Sequence, residues 1–172
     1  MPAPKALLIS ADNYEDSELL YPLYRLREAG FVVDVAAPKV GTITGKHGYT
    51  VMANLGVDAV ESAGSCGYNL LVLPGGKAPA TLRTIPKVID IVTDFASSGI
   101  PIAAICHGPQ ILVTARLLRG RHATCYKTVA DELREAEALY EDSPVVVDGQ
   151  FVTSRMPDDL PDFMREVMKK VG

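Results

Sequence analysis

Ile100-Pro101-Ile102-Ala103-Ala104-Ile105-Cys106-His107-Gly108-Pro109 passes without a spacer from an apolar run into a Gly-Pro helix start. Ile100 to Ile105 shows no polar alternation, the pattern of a strand buried on both faces of a parallel sheet. Ala6 to Ile9, Phe31 to Ala36 and Leu70 to Leu73 repeat it. Helical spacing lies between these runs. Leu19, Leu20, Leu23 and Leu26 mark one helix, with Pro22 expected in its first turn and Gly30 as its C-terminal cap. Val88, Ile89, Val92 and Phe95 mark a second between Pro86 and Gly99, and Ile111, Leu112, Ala115 and Leu118 a third before Gly120. Gly41 to Val51 reads as a small hairpin decorating the sheet, and Val145 to Thr153 as a hairpin turning at Asp148-Gly149. A last helix opens around Pro157 to Pro161 and carries Phe163, Val167 and Met168. The alternation predicts an α/β three-layer sandwich: a mostly parallel, doubly wound, flavodoxin-like sheet with helices on both faces, residues 1–172 forming one domain.

Composition narrows the function classes. Seventeen Lys and Arg against 21 Asp and Glu give a net charge of -4, with the signs interleaved rather than gathered into the basic stripe of a nucleic-acid binder. No apolar run approaches the roughly 20 residues that span a bilayer, so no membrane association is expected. Met1-Pro2-Ala3-Pro4-Lys5 lacks a signal-peptide pattern, and a cytoplasmic protein is expected. Cys66, Cys106 and Cys125 are an odd number without CxxC spacing, which fits neither a disulfide framework nor a zinc ribbon. His47, His107 and His122 are scattered, so neither a metal nor another cofactor is expected.

In an open parallel sheet, ligands bind beyond the carboxyl ends of the strands. Three turns there stand out: Ser10 to Asp16, Pro74 to Pro79, and Cys106 to Pro109. If their strands are neighbours, the turns meet. The third turn has small residues, Ala104 and Gly108, two positions to either side of Cys106, the layout of a strained nucleophile elbow. A thiol at that helix start would have its pKa lowered by the unpaired N–H groups and the macrodipole. The alternative is a small buried residue ending a core strand. His107 is the nearest base, although adjacency alone does not bring imidazole against sulfur. Gly75 and Gly76 offer backbone N–H groups for an oxyanion. Glu15 is either a solvated first-turn carboxylate or a buried acid, protonated and donating to the sulfur. Cys66 reads as an incidental loop residue, and Cys125 as a core residue on a strand with Thr124 and Tyr126.

Ala104-Ile105-Cys106-His107-Gly108-Pro109-Gln110 resembles the nucleophile motif of the PfpI intracellular protease family. That family lies in the superfamily of the parkinsonism-associated deglycase and class I glutamine amidotransferase domains. Tyr14-Glu15-Asp16-Ser17-Glu18-Leu19, Gly41 to Gly48, Leu71-Val72-Leu73-Pro74-Gly75-Gly76 and Thr153-Ser154-Arg155 extend the likeness over nearly the whole chain. The resemblance implies Cys106 as nucleophile, His107 beside it, a protonated Glu15 against the sulfur, and Gly76 and His107 N–H groups at the oxyanion. Gly75 and Tyr126 complete the expected substrate-binding set. It also implies a homodimer or a hexamer built as a trimer of dimers. In archaeal proteases of the family a Glu follows the Gly-Gly-Arg-Ala-Pro stretch and completes a triad from the neighbouring subunit. This chain has Ala80 there.

A His base without an orienting carboxylate loses help with its tautomer and its cation, and peptide hydrolysis suffers most. The reading favoured is therefore a cysteine-dependent hydrolase or lyase acting on small reactive carbonyls or their glycated protein adducts, of glyoxalase or deglycase type. An intracellular cysteine peptidase or amidase acting on peptides is the alternative. A redox-sensing chaperone, whose thiol is oxidised rather than turned over, is a reading of another class.

Overall fold

The computed structural model describes the backbone of residues 1–172 and the side chains of all but residue 65. In chain order the elements are β1 (Lys5–Ile9), α1 (Asp16–Glu28), β2 (Val32–Ala37), β3 (Gly41–Thr44), β4 (Thr50–Ala53), β5 (Leu55–Gly56), α2 (Ala63–Cys66) and β6 (Tyr68–Leu73). There follow α3 (Ala78–Leu82), α4 (Pro86–Ser97), β7 (Ile102–Ile105), α5 (Pro109–Thr114), β8 (His122–Ala123), α6 (Ala130–Glu135), β9 (Leu139–Tyr140), β10 (Val145–Asp148), β11 (Phe151–Ser154) and α7 (Leu160–Val171). Seven strands form the central sheet in the order β10-β11-β7-β6-β1-β2-β5. Every pairing is parallel except the edge hairpin β10–β11. The doubly wound sheet read from the apolar runs is what forms, with helices on both faces.

The apolar runs work because they are the middle of this sheet. Every residue of β7 is buried, and so are Leu7, Leu8, Ile9, Leu71, Val72 and Leu73. Each Leu, Ile or Val side chain among them contributes roughly 1.5–3 kcal/mol on leaving water. α1 and α7 pack together, α1 presenting buried Leu19, Leu23 and Leu26 and α7 presenting Phe163, Met164 and Val167. α4 buries Val88, Val92 and Phe95, and Phe95 lies 5.9 Å from the Tyr68 ring. No helix among the described residues is long and apolar enough to cross a membrane.

Several expectations shift. Pro22 lies inside α1 rather than in its first turn, because the helix already begins at Asp16. α5 ends at Thr114, short of Leu118: the Ala115 N–H closes on the Ile111 carbonyl and Arg116 takes φ +59°, which turns the chain out of the helix. Leu118 is buried from the following loop. Thr124 to Tyr126 is not a strand, since only His122 and Ala123 pair with β9. Cys66 ends the short helix α2 instead of lying in a loop.

The topology sets where chemistry can occur. β1 leads outward to β2 and β5, then the chain returns to β6 and β7 on the other side of β1, so the winding reverses between β1 and β6. The turns after β1, β6 and β7 therefore converge at the carboxyl edge. The β3–β4 hairpin forms as expected, in its own two-stranded sheet, but it does more than decorate. Buried Asp16 accepts the His47 N–H at 2.9 Å and the Tyr49 N–H at 3.0 Å, and the Lys46 N–H donates to the Tyr14 carbonyl at 3.0 Å. Gly45 sits so close that a Cβ would fall 2.3 Å from the Asp16 carboxylate. The hairpin tip is thus fastened to the start of α1. Asp16→Ala should cost about 1–3 kcal/mol, since two N–H groups lose a charged acceptor, and should expose residues 44–49 to limited proteolysis; unchanged denaturation and cleavage would show that the hairpin holds itself.

Candidate active site

Cys106 leaves β7 with φ +65°, in the left-handed region that non-glycine residues seldom occupy. Two hydrogen bonds clamp it there. Its N–H donates to the Ser154 carbonyl and its own carbonyl accepts the Tyr126 N–H, each at 3.0 Å. The turn closes tightly on β6, and at Gly108 a Cβ would fall 2.2 Å from the Leu73 carbonyl oxygen. Small flanking residues were the sequence signal for this elbow, and close backbone approach is their physical reason.

Glu18, not Glu15, is the carboxyl beside the sulfur. Glu18 is fully buried and accepts the Gly75 N–H through Oε1 at 3.0 Å. Its other oxygen, Oε2, has no ordinary hydrogen-bond partner among the described residues, and the neighbouring acid is the Cys106 thiol. Glu15 is committed to the β3–β4 hairpin instead. It pairs with Lys46 Nζ at 2.8 Å through Oε2 and with His47 Nε2 at 3.2 Å through Oε1. Helix phase explains the exchange. Glu15 is the residue before α1, whereas Glu18 lies one turn ahead of buried Pro22 and two ahead of buried Leu26, on the inward face.

Gly75 is also reassigned. Its N–H is committed to Glu18, and a Cβ there would lie 2.5 Å from Glu18 Oε1 and 2.8 Å from Cys106 Cβ. Gly75 therefore supports the buried acid and is not free to bind an oxyanion. Gly76, at φ +81° and bridged to Tyr14, does aim its N–H at the sulfur, as does His107. The two donors converge beside the same atom, the arrangement that can stabilise negative charge on a substrate oxygen. His107 Nδ1 lies 3.3 Å from Cys106 Sγ, and its ring stacks on Tyr126 with centroids 5.3 Å apart.

Burial governs the protons. It pushes the Glu18 carboxyl up to about 8, with the charge of Glu15 adding to the rise, so Glu18 is mostly protonated at neutral pH. Burial first, and the Glu18 charge second, also push the Cys106 thiol up, while the Gly76 and His107 N–H groups pull it down. The lowering expected from a helix start does not prevail, because α5 is a short helix and the site is dry. A proton on Glu18 removes the repulsion and turns the carboxyl into a donor toward sulfur. His107 is held below its ordinary value, by burial and then by the Lys46 charge, and is a neutral imidazole able to accept a proton.

Lys46 is the residue that sequence reasoning did not single out. It interacts electrostatically with Cys106, Glu18 and His107, although it sits on the distant hairpin. Only the quoted Gly41 to Gly48 resemblance hinted at it. Cys125 is buried, its thiol pushed up to about 12 by burial, and no group of His, Cys, Asp and Glu among the described residues could hold a metal ion.

Comparison with known proteins places the chain in a family. The sequence profile of the DJ-1/PfpI family matches residues 4–170. A deglycase of Pyrococcus abyssi is 48% identical over 96% of this chain and 98% of its own. Protein/nucleic acid deglycase 2 of Escherichia coli is 40% identical over 98% of each. Drosophila melanogaster DJ-1beta superposes with a TM-score of 0.90 at 26% identity, covering 99% of this chain and 91% of that one.

Glu18 gives a pH signature. Its folded pKa of about 8 lies above the ordinary 4.5, so its contribution to stability is full below pH 4.5 and is lost as pH rises through 8. The melting temperature of the native chain should therefore fall over that window relative to Glu18→Gln. Parallel melting curves for the two proteins across it would mean that Glu18 is ionised in the folded state.

Proposed function

The chain belongs to the DJ-1/PfpI family, and from that premise we propose that it is a cysteine-nucleophile enzyme acting on reactive 2-oxoaldehydes such as methylglyoxal, or on their early adducts with proteins. The observation that carries this reading is the convergence on one sulfur of two N–H donors, a buried acid and a neutral imidazole.

In this reaction Cys106 passes its thiol proton to the neutral His107 ring as sulfur forms a C–S bond to the aldehyde carbon. The carbonyl π pair moves onto oxygen, which accepts the Gly76 and His107 N–H groups and takes that proton back from the ring. Neutral His107 then removes the hydrogen of that carbon, the released pair forms the carbon–carbon double bond, and the π pair of the neighbouring ketone moves onto its oxygen, which takes the proton of Glu18 to give an enediol. Return of the His107 proton to the neighbouring carbon, with the first hydroxyl giving its proton to Glu18, leaves a lactoyl thioester on Cys106. Water attacks the thioester, the C–S bond breaks, and lactate leaves with the thiol restored. Methylglyoxal plus water becomes lactate with no external oxidant. An early adduct on a side chain enters the same sequence once its carbon is exchanged onto sulfur, which releases the amine or thiol.

Peptide hydrolysis is the weaker reading. The carboxylate within electrostatic reach of His107 is Glu132, and it is taken by Arg83 and by Gln110, the latter at 3.0 Å, while position 80 is an exposed Ala on α3. Tyr21, Tyr24 and Tyr49 leave an exposed aromatic groove of about 490 Å³ beside Glu15 and His47, which suits the family's pairing with a second copy. Light scattering should accordingly give at least a dimer, and a monomer at working concentration would remove that part of the proposal.

Cys106→Ala should lower methylglyoxal consumption by about 100-fold or more, with no acyl-enzyme in rapid-quench mass spectrometry, whereas Cys125→Ala should retain both. Equal turnover by native protein and Cys106→Ala would overturn the cysteine mechanism.

A further inference from the structure

The hairpin tip brings to the thiol a cation that the reaction above does not use. Lys46 donates its backbone N–H to the Tyr14 carbonyl, and Tyr14 is bridged to Gly76, the residue that offers an oxyanion N–H. On the same stretch, the Glu15 N–H donates to the Gly75 carbonyl at 3.2 Å. The Lys46 side chain is thus mounted on the backbone that forms one wall of the site. One hydrogen-bond direction of its ammonium goes to Glu15 Oε2 at 2.8 Å, and the side chain stays 43% exposed, so further N–H groups face solvent at the site mouth.

We propose that Lys46, aimed by Glu15 from the β3–β4 hairpin, binds the carboxylate of 2-oxo acids and glyoxylate, to whose carbonyl the Cys106 thiol adds reversibly, sulfur to carbon and proton to oxygen, so that they compete with methylglyoxal. This rests on the reading of Cys106 as the reacting thiol. A 2-oxo acid or glyoxylate places its carboxylate one bond from the carbon that sulfur attacks. With that carbon held near sulfur and the Gly76 N–H, the carboxylate is within one bond of the wall on which Lys46 is mounted. The electrostatic interactions of Lys46 with Cys106, Glu18 and His107 agree with that mounting. Glu15 has two opposed effects: it fixes the ammonium and it offsets its charge. Asp16 keeps the hairpin tip in register, so Lys46 is positioned by two carboxylates with distinct tasks.

Two alkylating agents read this charge without any turnover assay. Iodoacetate and iodoacetamide attack the same thiolate and differ in charge, so the ratio of their rates at Cys106, followed by mass spectrometry at fixed pH, reports the potential at the site and cancels changes in thiolate fraction. Lys46→Gln should lower the iodoacetate to iodoacetamide ratio about three- to fivefold, the size expected for a half-exposed charge. Glu15→Gln should raise it, which a merely structural role for the pair would not do. The inhibition constant of glyoxylate against methylglyoxal should rise about three- to fivefold in Lys46→Gln and fall in Glu15→Gln.

An unchanged alkylation ratio in Lys46→Gln, or a fall in both variants, would overturn the inference even if methylglyoxal is turned over normally. A ratio that moves as stated in a protein inert toward methylglyoxal would leave the anion site standing and remove the proposed reaction instead.

Discussion

Two acids, Glu18 and Cys106, are buried side by side, and the site depends on their never being ionised together. Two negative charges in that buried contact would repel strongly, and among the described residues neither forms an ion pair. The fold meets this constraint with backbone. Gly75 turns its N–H to one oxygen of Glu18, and Gly76 and His107 turn theirs to the sulfur. Coupled groups of this kind titrate as a pair, so the ionisation that matters is that of the Glu18–Cys106 unit.

Much of the rest is geometry in service of that contact. Glu18 reaches sulfur only because Gly75 has no side chain to stand between them, and Cys106 projects from β7 only at a positive φ held by Ser154 and Tyr126. The parallel order β7-β6-β1 brings the three turns together, and buried Leu, Ile and Val residues keep those strands in register. Backbone strain at one residue is tolerated because the surrounding sheet over-determines its position. The outer wall comes from the hairpin, which Asp16 joins to the start of α1.

The strands were legible because residues buried on both faces must be apolar throughout, and the elbow because Ala104 and Gly108 flank Cys106; the order that makes β7, β6 and β1 neighbours was not. Side-chain direction at α1 was not. Choosing between Glu15 and Glu18 requires the residue at which the helix starts, and Pro22 suggested too late a start. Glu18 shares the inward face with Pro22 and Leu26, so the signal was present in the spacing once the boundary is known. Gly75 and Gly76 are adjacent and alike in sequence, and only three-dimensional placement gives one N–H to Glu18 and the other to sulfur. Lys46 was invisible for a different reason: its approach to the thiol depends on a contact between residues some thirty positions apart, from Asp16 to His47 and Tyr49. Local propensity carries no information on such a contact. The expected lowering of the thiol pKa failed on energetics, because desolvation outweighs a helix as short as α5.

The proton on Glu18 can be observed directly by infrared difference spectroscopy at neutral pH. The account predicts a carbonyl stretch from one protonated carboxyl in the native protein, shifted when Cys106 is alkylated, absent in Glu18→Gln and retained in Glu15→Gln. No such band, or a band that disappears with Glu15 and survives the loss of Glu18, would contradict it.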